Sequence, residues 1–167
     1  GFSSADYLRR ALDAADATYL IPEIDMRPGH PTVLAQLPTG TFVLGLPGNP
    51  LAAIAGFVAV GMPLLAALSG IGELPQFFLP AGISATNQKL SKHRPNKPAP
   101  QTPRLIPAAY RNGVIEASSF QGSAMLRGLV GAEFLAVTYP GTTAPGDQTR
   151  ILPLPWATFN PPTTQGR

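Results

Sequence analysis

Residues 51–68 carry no charged side chain and are rich in Leu, Ala, Ile and Val, so this segment must be buried or lie in lipid. Gly56, Gly61 and Pro63 interrupt the run, and its alanine content is high. These features favour a core helix, about five turns long at roughly 3.6 residues per turn, over a membrane span. Pro63 should kink the helix or start a second segment, and Gly70 should end it. Directly before the run stands Gly45-Leu46-Pro47-Gly48-Asn49-Pro50, itself preceded by the short apolar strand Thr41-Phe42-Val43-Leu44. Gly48 permits a positive φ or a close backbone approach, Asn49 suits an N-cap, and Pro50 suits the first helical position. The free N–H groups of the helix would then face the loop, where a phosphate or another oxyanion can be held.

Composition narrows the class of partner. Of 167 residues, 44% are hydrophobic and 13% charged, about half the usual charged share, so a substantial core is available. A net charge of +3 with no Lys/Arg stripe interleaved with aromatics argues against nucleic acid. Cysteine is absent, which excludes disulfides, thiolate metal sites and a Cys nucleophile, and fits a cytoplasmic protein.

Along the chain, Ser3-Ser4-Ala5-Asp6 reads as a capping box for a helix reaching about residue 15, with Leu8, Ala11, Leu12 and Ala15 on one face. Residues 19–24 read as a strand bent or edged by Pro22, and residues 32–37 and 41–46 as a hairpin around Pro38-Thr39-Gly40. Residues 71–76 read as a linker. Residues 87–101 hold Lys89, Lys92, His93, Arg94 and Lys97 among prolines, without hydrophobic periodicity, and read as a solvated loop. Residues 104–111 and 114–117 form a hairpin about Asn112-Gly113. A short helix over 123–130 and strands over 134–139 and 148–154 complete a small barrel or sandwich.

Arg27-Pro28-Gly29-His30-Pro31 is a stiff turn that projects a guanidinium and an imidazole. Arg27 keeps its charge and can hold an oxyanion through two parallel N–H groups, whereas His30 can donate, accept or titrate. Two antiparallel strands separate this turn from Gly48-Asn49-Pro50, which can bring both turns to one end of a sheet.

Met26-Arg27-Pro28-Gly29-His30-Pro31, followed by Gly45-Leu46-Pro47-Gly48-Asn49-Pro50, resembles the molybdopterin molybdenumtransferase (MoeA) family, whose eukaryotic relatives include gephyrin. Ala5-Asp6-Tyr7-Leu8 is similar to the end of the family's Gly-rich segment, and Gly122-Ser123-Ala124-Met125-Leu126 with Phe134-Leu135-Ala136-Val137 to its C-terminal barrel. The resemblance implies part of a three-layer α/β molybdopterin-binding domain over residues 1–70, a linker over 71–76, an all-β barrel domain over 77–156, and a tail over 157–167. It implies a transferase of molybdenum cofactor biosynthesis that inserts molybdate into adenylylated molybdopterin with release of AMP. Magnesium is expected to assist, held mainly by residues upstream of this chain, which alone would carry an incomplete site.

By the same resemblance Asp6, Arg27 and His30 are the catalytic candidates, and Pro31, Gly48, Asn49, Pro50 and Ser123 line the pterin side. A homodimer, and molybdopterin adenylyltransferase as a partner, are also implied. The chain departs from the family where Arg27 and His30 replace lysines, which makes oxyanion binding depend on pH at His30. Glu23 stands where some relatives carry another lysine. A non-catalytic gephyrin-like scaffold module is the alternative, and a generic α/β phosphate-binding protein leaves the barrel pattern unexplained.

Overall fold

The computed structural model describes residues 4–80, 102–119, 126–139 and 147–159, with only the backbone described for residues 4–6. Its first half is built on a three-stranded antiparallel sheet in the order β1-β2-β3, formed by Thr18–Ile21, Val33–Gln36 and Phe42–Gly45. Helix α1, Ser4–Ala14, lies on one face, where Leu12 closes over Val33 and Ala35, with Leu8, Ala17 and Val43 around them. Gly45 is needed on that face, because a Cβ there would collide with Leu8 and Val33. β1 ends at Ile21, sooner than the sequence pattern predicts. Pro22 has no N–H to continue the ladder, and a bulge already shifts the register between Tyr19 and Ile21.

The apolar run forms one continuous helix, Pro50–Leu68. It comprises α2 (Pro50–Gly56), a wide π-helical turn over Phe57–Gly61, and α3 (Met62–Leu68). Pro63 stands in the first turn of α3, so a second α-helical segment starts there, as the sequence predicts, without interrupting the run. The wide turn moves hydrogen bonding to the residue five back, with the Met62 N–H donating to the Phe57 carbonyl, and so makes room for a proline that cannot donate. Gly56 sits against Thr32 and Leu46, and Gly61 against Leu44, so the helix runs along the sheet face opposite α1. Gly70, at φ 74°, ends it as expected: the Ile71 N–H reaches the Ala66 carbonyl at 3.0 Å and the Gly70 N–H reaches that of Ala67 at 3.2 Å. The helix is long and apolar enough to cross a membrane, yet Ala52, Ala55, Val58 and Val60 are buried within the fold while Leu65 and Leu68 remain exposed.

The second half is a curled five-stranded antiparallel sheet in the order β4-β8-β7-β5-β6. Its strands are β4 (Phe77–Pro80), β5 (Arg104–Arg111), β6 (Val114–Ala117), β7 (Phe134–Thr138) and β8 (Gln148–Pro153). The β5–β6 hairpin turns at Asn112 and Gly113, both with positive φ, as that dipeptide requires. β4 was not legible as a strand, since Phe-Phe-Leu-Pro has no alternation of its own, and its partner β8 lies far along the chain. Edges β4 and β6 approach one another, but no hydrogen-bonded pairing joins them among the described residues. The expected helix over 123–130 is a single 3-10 turn, Leu126–Leu129, within the part described. The basic segment 87–101 lies outside the described residues.

Alternation along these strands produces two cores. Phe134, Ala136, Ala108, Leu79, Ile115 and Ile151 fill the inside of the curl. Phe159 closes it, with its ring edge-on to Phe134 at 5.3 Å. The outward side chains Leu105, Leu135 and Leu154 pack with Met26, Ala55 and Val58. The long helix and the second sheet therefore share one hydrophobic cluster across the 71–76 segment.

Candidate functional site

The cation turn is fastened to the second sheet by its own backbone. The Arg27 N–H donates to the Pro103 carbonyl at 2.9 Å, and the Arg27 carbonyl accepts from the Leu105 N–H at 2.7 Å. This pairs Arg27 with Arg104 in an isolated parallel bridge, whereas the named strands of both sheets pair antiparallel. Beside it Met26, 4% exposed, anchors the turn in the shared core. Gly29 makes the turn possible. Its φ is 119°, and a Cβ there would strike the Met26 methyl.

An open cavity of about 400 Å³ lies at this junction. Its rim is Arg27, His30 and Arg104, its loop wall Pro47 and Asn49, and its apolar floor Ala52, Leu105 and Ile106. The two turns that the sequence singles out, 27–31 and 45–50, thus meet in one place. Partners in a β-bridge project their side chains to the same side, so the Arg27 and Arg104 side chains leave the backbone on one side and both line the cavity. Neither has a carboxylate partner among the described residues. Two adjacent like charges repel, and an anion between them relieves that repulsion while accepting charge-assisted hydrogen bonds.

The Asn49 loop differs in detail from its expected form. Asn49 occupies the N-cap position, with φ −74° and ψ 125°, and Pro50 begins the helix. The Asn49 side chain, however, makes no capping hydrogen bond, and Asn49 lines the cavity instead. Gly48 is not among the residues with positive φ; the glycine in that conformation is Gly29, in the other turn. Because Pro50 has no N–H and the Ala53 N–H already donates to the Asn49 carbonyl at 2.9 Å, the Leu51 and Ala52 amides are the helix's free donors.

His30 is held from both sides. The Ile24 N–H donates to its carbonyl at 3.2 Å, and its Nδ1 lies 2.9 Å from the Ile24 carbonyl oxygen. Its Nε2 faces the Glu23 carboxylate at 3.6 Å, with both side chains more than half exposed. Glu23 therefore does more than omit a positive charge, since it sets a negative one against His30.

No family model matches the chain. Over 70 residues it is 36% identical to the molybdopterin molybdenumtransferase of Nostoc sp. (strain PCC 7120), a match covering 41% of this chain and 16% of that protein. Over those residues the chain is similar in sequence to a MoeA protein. Among solved structures it is similar to a molybdopterin biosynthesis MoeA protein from Pyrococcus horikoshii, with TM-score 0.61 and 20% identity over 90% of this chain and 35% of that one. A molybdenum cofactor biosynthesis protein from Pyrococcus furiosus is similar at TM-score 0.54 and 19% identity, over 87% of this chain and 53% of that one. At these identities the structural likeness speaks for the fold. The chain spans less than two thirds of each relative's length.

Of the residues drawn from the resemblance, Arg27, His30, Pro31 and Asn49 line the cavity, whereas Gly48 and Pro50, next to Asn49 in the chain, are not among its lining residues. Asp6 lies in α1, on the backbone described there, and its side chain and all of Ser123 lie outside the described residues. Sequence reasoning missed Arg104. Its cue was a charged residue opening a strand with an apolar centre, but nothing local links position 104 to position 27. No group of three or more carboxylates and imidazoles converges among the described residues, so these do not compose a magnesium site.

Proposed function

We propose that this chain acts in molybdenum cofactor biosynthesis, forming the anion-binding wall of a site where molybdate is inserted into adenylylated molybdopterin with release of AMP. The observation that carries this reading is that Arg27 and Arg104, bridged through their backbones and without a carboxylate partner among the described residues, line one cavity with Asn49. Molybdate and phosphate are both tetrahedral oxyanions, and fixed cations with an amide donor stabilise either as charge shifts during displacement. The apolar floor of Ala52, Leu105 and Ile106 suits the flat body of a ligand whose charge is at one end. Arg27, Arg104 and Asn49 bind and orient; the floor excludes water. A homodimer is the assembly we expect, readily checked by light scattering.

Isothermal titration with molybdate, and then with adenylylated molybdopterin, tests this. Arg27→Ala and Arg104→Ala should each weaken binding about tenfold or more, the value of a charge-assisted hydrogen bond. Binding that neither substitution alters would overturn the assignment.

A further inference from the structure

We propose that anion capture in this cavity is coupled to partial proton uptake at His30, and that Glu23 governs the coupling. This rests on the anion-binding reading above and adds a protonic term to it. A carbonyl oxygen only accepts, so the 2.9 Å contact between His30 Nδ1 and the Ile24 oxygen assigns the ring hydrogen of the neutral imidazole to Nδ1. Nε2 of that neutral ring is then a bare lone pair. It faces the Glu23 carboxylate at 3.6 Å, an arrangement with no hydrogen bond to offer. A proton on Nε2 converts the same contact into an ion pair without moving the ring.

Among the described residues Glu23 faces His30 directly, Arg27 and Arg104 line the same cavity, and Asp25 lies on the same segment. Asp25 is occupied by the Thr102 hydroxyl, which donates to its Oδ1 at 2.8 Å. With His30 neutral, the Glu23 carboxylate leaves an unanswered negative charge beside a residue that lines the cavity, which disfavours an anion there. With His30 protonated, Glu23 is neutralised and both guanidinia act on the anion. The protonated state therefore binds anions better, and by linkage a bound anion favours the protonated state. Imidazole titrates between about pH 5 and 8, where sulfate stays a dianion, so sulfate reports the protein's proton alone. Both side chains are well exposed and solvent screens them, so the effect is several-fold rather than a switch.

The test is calorimetric titration of the chain with sulfate from about pH 8 to about pH 6, in buffers of different ionisation enthalpy. Wild type should bind roughly three- to tenfold more tightly at the lower pH, with net proton uptake from the buffer. His30→Gln should flatten the profile, and Glu23→Gln should bind more tightly than wild type at the higher pH. If sulfate binds, Arg27→Ala weakens it and the wild-type profile is flat, the coupling is overturned while the anion site stands. A His30→Gln profile as steep as wild type also overturns it. If sulfate fails to bind at any pH, the anion reading falls and takes the coupling with it.

Discussion

Arg111 and Arg27 sit at opposite ends of the same sheet region and are used in opposite ways. Arg111 donates to the Glu133 carboxylate and to the Tyr110 carbonyl, and Glu133 also accepts from the Tyr110 N–H at 3.0 Å. Burial pushes the Glu133 carboxyl up, but the Tyr110 N–H and the Arg111 guanidinium outweigh it and hold it below its ordinary value. The hydrogen bond and charge of Glu133 in turn raise Arg111. Every charge in that cluster is answered within the protein. At the Arg27–Arg104 bridge the chain brings two cations together and, among the described residues, supplies no carboxylate to either. The contrast separates a cation that holds the fold from cations that await a ligand.

Removing both cavity guanidinia should break the comparison most visibly. The Arg27→Ala/Arg104→Ala double variant is expected to lose about 100-fold in anion affinity, roughly 3 kcal/mol. Its melting temperature should stay the same or rise, because a like-charge pair is gone. A melting temperature that falls with affinity would put these arginines in the same class as Arg111. Gly29→Ala should cost about 3 kcal/mol of stability in denaturant unfolding, from the positive φ and the collision with Met26. Anion binding should fall with it, since the turn carries Arg27.

Glu133→Ala should lower stability by roughly 2 kcal/mol, by leaving the Tyr110 N–H and Arg111 without their acceptor, and should leave sulfate titrations unchanged. Because the folded-state Glu133 carboxyl is depressed, its contribution is present above the unfolded value near about pH 4.3 and is lost as pH falls through the folded value. Thermal unfolding of Glu133→Gln across that acid range should therefore show a shallower loss than wild type. The smallest effect on stability should be that of Asn49→Ala, under about 0.5 kcal/mol, where a working N-cap is worth about 1 kcal/mol. Its anion affinity should nevertheless drop several-fold. A full capping loss with unchanged affinity would move Asn49 from the site to the scaffold.

Elements whose signals are local are legible in the amino-acid sequence. Asn112-Gly113 marks its hairpin, Gly70 its helix stop, and the apolar face of α1 its sheet contact, because each depends on residues within a turn or two of one another. β4 is not legible, since four residues without alternation become a strand only through pairing with β8. Asn49 falls at the expected helix position but lacks the capping bond that the position suggests, because position follows from sequence and side-chain aim does not.

The same division runs through the site. Sequence alone determined the two turns, the stiffness that Pro28, Gly29 and Pro50 impose, and the charge that Arg27 always carries, all of which are covalent or local properties. Only the tertiary structure decided that Arg104 stands beside Arg27, that the turns share one cavity with the second sheet, and that Glu23 faces His30. Arg104 lies far along the chain from Arg27. The shared packing of Met26 with Leu105, and the backbone bridge beside it, hold the two together with no local pattern to announce it.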